Sequence, residues 1–103
     1  LTTDPRDPRL THGIDEVEVE QNDAYLVLSD EERARGFVRP FRSVYLHETC
    51  GVETRMSQAI AETYARDPHF YGATYCIACR KHLPVGADGE FVWVDGIGSK
   101  VGT

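Results

Sequence analysis

His47, Cys50, Cys76 and Cys79 are the residues of this chain best suited to chemistry. They fall in two pairs, His47-Glu-Thr-Cys50-Gly51 and Cys76-Ile-Ala-Cys79, with 25 residues between the pairs. Two residues separate the donors within each pair, so one tight turn can present both to a single ion. Zn²⁺ takes four N or S ligands in a tetrahedron, and two such turns supply a Cys₃His set. Zinc would hold Cys50, Cys76 and Cys79 as thiolates. Gly51 lets the first turn curl so that amides point toward the Cys50 sulfur. The expected ligands are therefore His47, Cys50, Cys76 and Cys79, with Zn²⁺ as the cofactor. His82, three residues beyond Cys79, is the alternative to His47. His47 is preferred because two separate two-ligand turns converge more easily than three ligands crowded on one. His12 and His69 read as surface or internally satisfied histidines.

Rival chemistries fit these residues less well. Three cysteines make a poor disulfide framework, and no βαβ pattern surrounds Cys76 and Cys79 to suggest a redox motif. A zinc-dependent nucleobase deaminase would show H-x-E followed by P-C-x-x-C. Here Glu48 follows His47 directly, and Tyr75 stands where that signature has proline. Cys50 would also close the coordination position that a catalytic water needs. No His-Asn-His set for a metal-dependent nuclease can be laid out. These residues lead to no catalytic assignment, and the deaminase is kept only as a distant alternative.

Some elements must carry the two turns. Ser43-Val-Tyr-Leu46 reads as a strand leading into the first, and His69 to Tyr75, with three aromatics, leads into the second. Between them the clearest helix is expected from Thr54 to Arg66. Thr54 would be its cap, and Met56, Ala59, Ile60 and Tyr64 its apolar stripe. Asp67-Pro68 ends it. Upstream, Ser29-Asp-Glu-Glu32 matches a capping box for a short helix stopped at Gly36. Ile14 to Glu20, with its Val17-Glu-Val19-Glu alternation, reads as an edge strand, and the apolar run Tyr25 to Leu28 as a buried one. Phe37 and Phe41 are expected to anchor the core. Glu90 to Asp95 should form a strand with Phe91 and Trp93 on one face. Asp95-Gly96 would turn it back toward Ser99 to Val101.

The 103 residues suggest one domain, large enough for a modest core yet small enough to benefit from a metal staple. Residues 1–23, with two Asp-Pro steps, read as an acidic N-terminal arm, and residues 24–103 as the zinc-binding domain. Residues 1–35 hold ten of the 17 acidic and four of the 11 basic side chains, so they carry the whole net charge of −6. That balance disfavours nonspecific nucleic-acid binding, which depends on neutralising phosphates. A nucleic-acid-binding zinc module using Arg39, Arg42, Arg80 and Lys81 remains the alternative function. Arg33, Arg35, Arg39 and Arg42 together read as a solvated face paired to nearby acids. No apolar run approaches the roughly 18 residues that span a membrane. No secretory signal opens the chain, so a virion or host-cytoplasmic setting is expected rather than secretion.

Several stretches together resemble a group of small uncharacterised bacteriophage proteins. They are Gly36-Phe-Val-Arg-Pro-Phe-Arg42, Tyr45-Leu-His47-Glu-Thr-Cys50-Gly51, Ala61-Glu-Thr-Tyr-Ala-Arg-Asp-Pro68, Phe70-Tyr71, Cys76-Ile-Ala-Cys79 and His82-Leu-Pro84. The resemblance runs over roughly residues 10–103. It implies a phage-encoded, zinc-binding protein without an assigned activity. The combined expectation is a small α+β, zinc-ribbon-like domain with one main helix, short antiparallel strands and an extended arm. Its expected role is structural or protein-interacting, with the arm reaching other protein subunits, for instance in a phage assembly.

Overall fold

The computed structural model describes residues 1–8, 10, 17–20, 24–94 and 98–103. Among the described residues, two small antiparallel sheets and two helices make an α+β fold. In chain order the elements are α1 (Asp30–Ala34), β1 (Val44–His47), β2 (Val52–Arg55), α2 (Gln58–Arg66), β3 (Ala73–Cys76), β4 (Lys81–Pro84) and β5 (Phe91–Trp93). One sheet has the order β2-β1-β5, and the other pairs β3 with β4. Among the described residues, no helix is long and apolar enough to cross a membrane.

Each sheet contains a hairpin, and each hairpin turn is one of the two donor pairs. β1 meets β2 in the register His47↔Val52, so residues 48–51 form the first turn. β3 meets β4 in the register Cys76↔Lys81, so residues 77–80 form the second. The β4 strand was not expected from sequence, where Lys81 to Pro84 shows too little alternation to be told from a loop. β5 lies on the other side of β1, with His47 opposite Phe91. Phe91 and Trp93 are buried on one face, as their alternation predicts, whereas Val94 is exposed. The chain does return beside β5. Trp93 N–H donates to Ser99 O at 2.8 Å and Val101 N–H to Phe91 O at 3.0 Å, forming an isolated bridge rather than a strand. The Asp95-Gly96 turn lies outside the described residues.

The main helix starts later than its sequence suggests. Ser57, not Thr54, caps α2 and accepts a hydrogen bond from Ile60 N–H. Thr54 belongs to β2, because pairing of Val52–Arg55 with β1 satisfies more backbone groups than one extra helical turn. Met56 is buried ahead of the helix, and Ala61, Thr63, Tyr64 and Ala65 form its buried face. Ala59 and Ile60 of the expected stripe are only half-buried. Ser29 caps α1 as expected, accepting from Glu32 N–H at 3.2 Å. The Glu32 carboxylate meets Arg66 at 3.3 Å and Arg35 at 3.6 Å, ion pairs in place of the expected reach-back. Gly36 follows α1 in the left-handed region, φ 109°.

Tyr45, Met56, Ala61, Tyr64, Cys76, Phe91, Trp93 and Val101 form the core. Phe37 and Phe41 are not part of it, being 44% and 47% exposed. Their segment is held instead by its backbone, with Val38 and Arg39 N–H both donating to Ala65 O. Tyr25–Leu28 buries Val27 but forms no strand. Leu26 makes a single parallel bridge to Thr2 of the arm. Val17–Glu20 is likewise not a strand. Val19 is tied down by its N–H to Arg80 O (2.7 Å) and by the Tyr75 hydroxyl on its carbonyl (2.8 Å). Residues 14–16 of the expected edge strand, and His12, lie outside the described residues.

Candidate metal centre

The two hairpin turns have the same backbone shape. Gly51 N–H donates to His47 O and Arg80 N–H donates to Cys76 O, both at 2.8 Å. In each case the donating residue sits four places on and adopts a left-handed conformation, φ 73° at Gly51 and φ 54° at Arg80. Glycine reaches that region without steric cost, whereas a side chain such as arginine does not. Arg80 is held there by the Val19 hydrogen bond to its carbonyl and by an ion pair with Glu20.

The turns face each other. Donor atoms of His47, Cys50, Cys76 and Cys79 all lie within 4.8 Å of one another. His47 Nδ1 is 3.2 Å from Cys50 Sγ and 3.5 Å from Cys79 Sγ, and the Cys50 and Cys76 sulfurs are 3.6 Å apart. A tetrahedron with Zn–S near 2.3 Å and Zn–N near 2.0 Å has donor-to-donor edges of about 3.5–3.8 Å. The donor set therefore fits a metal ion of that size and preference. All three cysteines are free thiols, Cys76 buried, Cys79 half-buried and Cys50 exposed.

Neighbouring groups fix the orientation of these donors. His47 is buried and stacks on Phe91, with ring centroids 4.8 Å apart. Its Nε2 lies 3.0 Å from a carboxylate oxygen of Glu90, so Nε2–H donates there and the Nδ1 lone pair is left for the sulfur side. Thr49, inside the first turn, also donates to Glu90, and these two hydrogen bonds, Thr49's the larger in effect, hold the Glu90 carboxyl below its usual range. Cys79 N–H points at Cys76 Sγ, 3.4 Å away. Thr54 of β2 accepts from Ile77 N–H at 3.3 Å, pinning the second turn to the first sheet. Desolvation opposes ionisation of Cys50, yet the Val52 N–H and the neighbouring donors bring its thiol down to about 7. Desolvation and the Cys76 and Cys50 sulfurs push Cys79 up to about 11. Three sulfurs this close repel as thiolates, a repulsion that a divalent cation would relieve.

His82 is placed elsewhere. It is buried, with Nε2 2.9 Å from the Tyr25 hydroxyl and its ring 5.0 Å from that of Tyr75. His69 is exposed. Glu48, the acid next to His47, pairs with Lys100 at 2.5 Å. The four cations considered for nucleic acid come from two places, Arg39 and Arg42 from the segment between α1 and β1, and Arg80 and Lys81 from the second turn and the start of β4. Arg80 pairs with Glu20, Arg42 lies 4.8 Å over the Trp93 ring, and Arg39 donates to the carbonyls of Thr103 and Val38. Lys81 stands in β4. In the basic cluster, Arg33 and Arg35 pair with acids as expected, Arg33 with Asp30 and Glu62.

Glu90 and Thr54 are the functional neighbours that sequence reasoning missed. Glu90 is 43 residues from His47 and becomes its partner only through the β1–β5 register. No local signal could have marked it.

No protein-family model matches the chain, and no curated protein or solved structure matches it significantly.

Proposed function

We propose that this chain is a small zinc-binding module in which Zn²⁺, held by His47, Cys50, Cys76 and Cys79, stabilises the fold for a structural or protein-interaction role. The observation that carries this reading is the convergence of four N and S donors, from two like-shaped turns, within 4.8 Å. Four protein ligands complete a tetrahedron and leave no position for a reacting water, the pattern of a structural site. The ion would join the β1–β2 hairpin to the β3–β4 hairpin. That arrangement, with one ligand pair from each hairpin, supports a zinc-ribbon-like description. In a domain this small, a structural zinc is worth on the order of the whole folding free energy.

The partner would be another protein subunit met through the arm, where Val17 is exposed while Val19 is fixed to the domain. The bacteriophage setting, in a virion or an infected cell, rests on the sequence resemblance alone. The nucleic-acid alternative has less support, since Arg80 is paired with Glu20 and Arg42 with Trp93.

Elemental analysis of the purified chain tests the metal. One zinc per chain is expected, with loss of both metal and cooperative unfolding after exhaustive chelation or in Cys76→Ser. A fully folded chain that takes up no zinc from a zinc-supplemented buffer overturns the reading.

A further inference from the structure

A cavity of about 240 Å³ lies at the seam between the two sheets. Its walls come from β1, β2, α2 and β3 together with Leu1 and Tyr25, and Tyr45, Arg55, Met56, Tyr64, Tyr71 and Thr74 define its chemistry. None of these residues is a metal donor, and the cavity is separate from the cysteine cluster.

The buried side is aromatic. Tyr45 and Tyr64 are each 3% exposed, and the Tyr64 and Tyr71 rings lie 4.7 Å apart. The hydroxyl groups on this side are largely used up internally. Tyr45 donates to the Tyr75 carbonyl, Thr74 donates to the Tyr45 oxygen at 3.2 Å, Tyr71 donates to the Leu26 carbonyl, and Tyr64 has Thr74 as its hydrogen-bonding neighbour. What these groups offer a guest is the half-buried Tyr71 ring, small edges of Tyr45 and Tyr64, and oxygen lone pairs, together with the Met56 thioether.

The exposed side carries a cation. Arg55 is exposed, and while its backbone pairs with β1, its guanidinium has no ion pair or hydrogen bond with any described residue. Other arginines of this acidic chain, such as Arg33, Arg66 and Arg80, are paired with carboxylates. An arginine fork binds a carboxylate through two parallel hydrogen bonds, more strongly than neutral groups. Drug-sized ligands occupy pockets of about 300–1,000 Å³, so this cavity suits a body of one ring or two fused rings.

We propose that this cavity binds a small aromatic carboxylic acid, its ring between the tyrosines and Met56 and its carboxylate on Arg55. The walls come from both hairpins, so their spacing depends on the hairpins staying joined. To that extent the site rests on the zinc reading.

Trp93 is the single tryptophan and lies edge-on to Tyr64 at 5.5 Å, so its fluorescence reports on the cavity wall. The chain, with its zinc content measured on the same sample, is titrated with 4-hydroxybenzoate and with its neutral analogue 4-hydroxybenzamide. Calorimetry is run in parallel. Saturable binding of the acid is expected, at least about tenfold tighter than the amide. Arg55→Gln should remove that preference, bringing binding of the acid down to the level of the amide. Ala73→Leu, which projects into the cavity wall, should abolish binding of both with zinc content and circular dichroism intact. A zinc-loaded, folded chain that shows no saturable response up to about 10 mM overturns the proposal and leaves the metal reading standing. Equal binding of acid by wild type and Arg55→Gln also overturns it. Acid-selective binding by a folded chain that takes up no zinc from a zinc-supplemented buffer sustains it and overturns the metal reading instead.

Discussion

A carboxylate oxygen of Glu90 lies 3.0 Å from His47 Nε2, on the opposite edge of the ring from the Cys50 and Cys79 sulfurs. The contact selects one tautomer, with the proton on Nε2 and the lone pair on Nδ1. Metal-bound histidines use such partners to fix ring orientation and raise basicity, and losing one costs about 10–100-fold in metal affinity. Glu90→Ala is therefore expected to weaken zinc binding by that factor, and Glu90→Gln, which keeps an acceptor without the charge, by less. Competition against a chromophoric chelator measures both. Wild-type affinity in Glu90→Ala would reduce the pair to a surface contact.

The left-handed turn after Cys50 makes its own prediction. Gly51→Ala places a Cβ at φ 73°, which costs about 1–2 kcal/mol. Open space surrounds that position, so the cost is conformational rather than steric. The urea midpoint of the zinc-loaded chain should fall accordingly while zinc stays at one per chain. Gly72→Ala, also in open space but outside the left-handed region, should change stability by less than about 1 kcal/mol.

Alkaline pH should destabilise the fold through its buried tyrosines. Burial pushes the Tyr45 phenol up to about 12 from an ordinary 10, and pushes Tyr64 and Tyr71 up as well. Between those two values the folded chain keeps a proton at Tyr45 that the unfolded chain gives up. The stability contributed by the neutral phenol is thus complete below about pH 10 and is lost as pH rises through about 12. Urea midpoints measured at rising pH should fall across this window, with the main phenolate absorbance appearing together with unfolding. Full tyrosinate absorbance near pH 10 in a chain that stays folded would contradict this burial.

The aromatic residues divide by location. Phe91 is 1% exposed and stacks on His47, so Phe91→Ala should cost about 3–5 kcal/mol and weaken zinc binding. Phe37→Ser and Phe41→Ser should each cost less than about 1 kcal/mol, because both rings are already close to half exposed. Denaturant titrations of the three variants decide it. A large loss in either Phe37 or Phe41 variant would return those rings to the core.

The sequence by itself determined the parts of the protein that depend on short range. Two-residue spacings marked the donor pairs, Ser29 and Gly36 the ends of α1, and alternation the buried face of β5. Each is set by bonds or side chains within a few residues, so local pattern is enough. Only the tertiary structure decided which histidine joins the three cysteines. His47 and His82 have equivalent spacings in the chain. The β4 pairing puts His82 opposite Tyr75 and among aromatic rings, while the β1–β2 turn puts His47 beside the sulfurs. The same holds for Thr54, which reads locally as a helix cap. Strand pairing with Tyr45 claims its backbone, and its hydroxyl holds the second turn. Glu90 and the tyrosine-lined cavity come from registers between segments tens of residues apart, and a register is fixed by the packing of whole faces rather than by any one residue's neighbours.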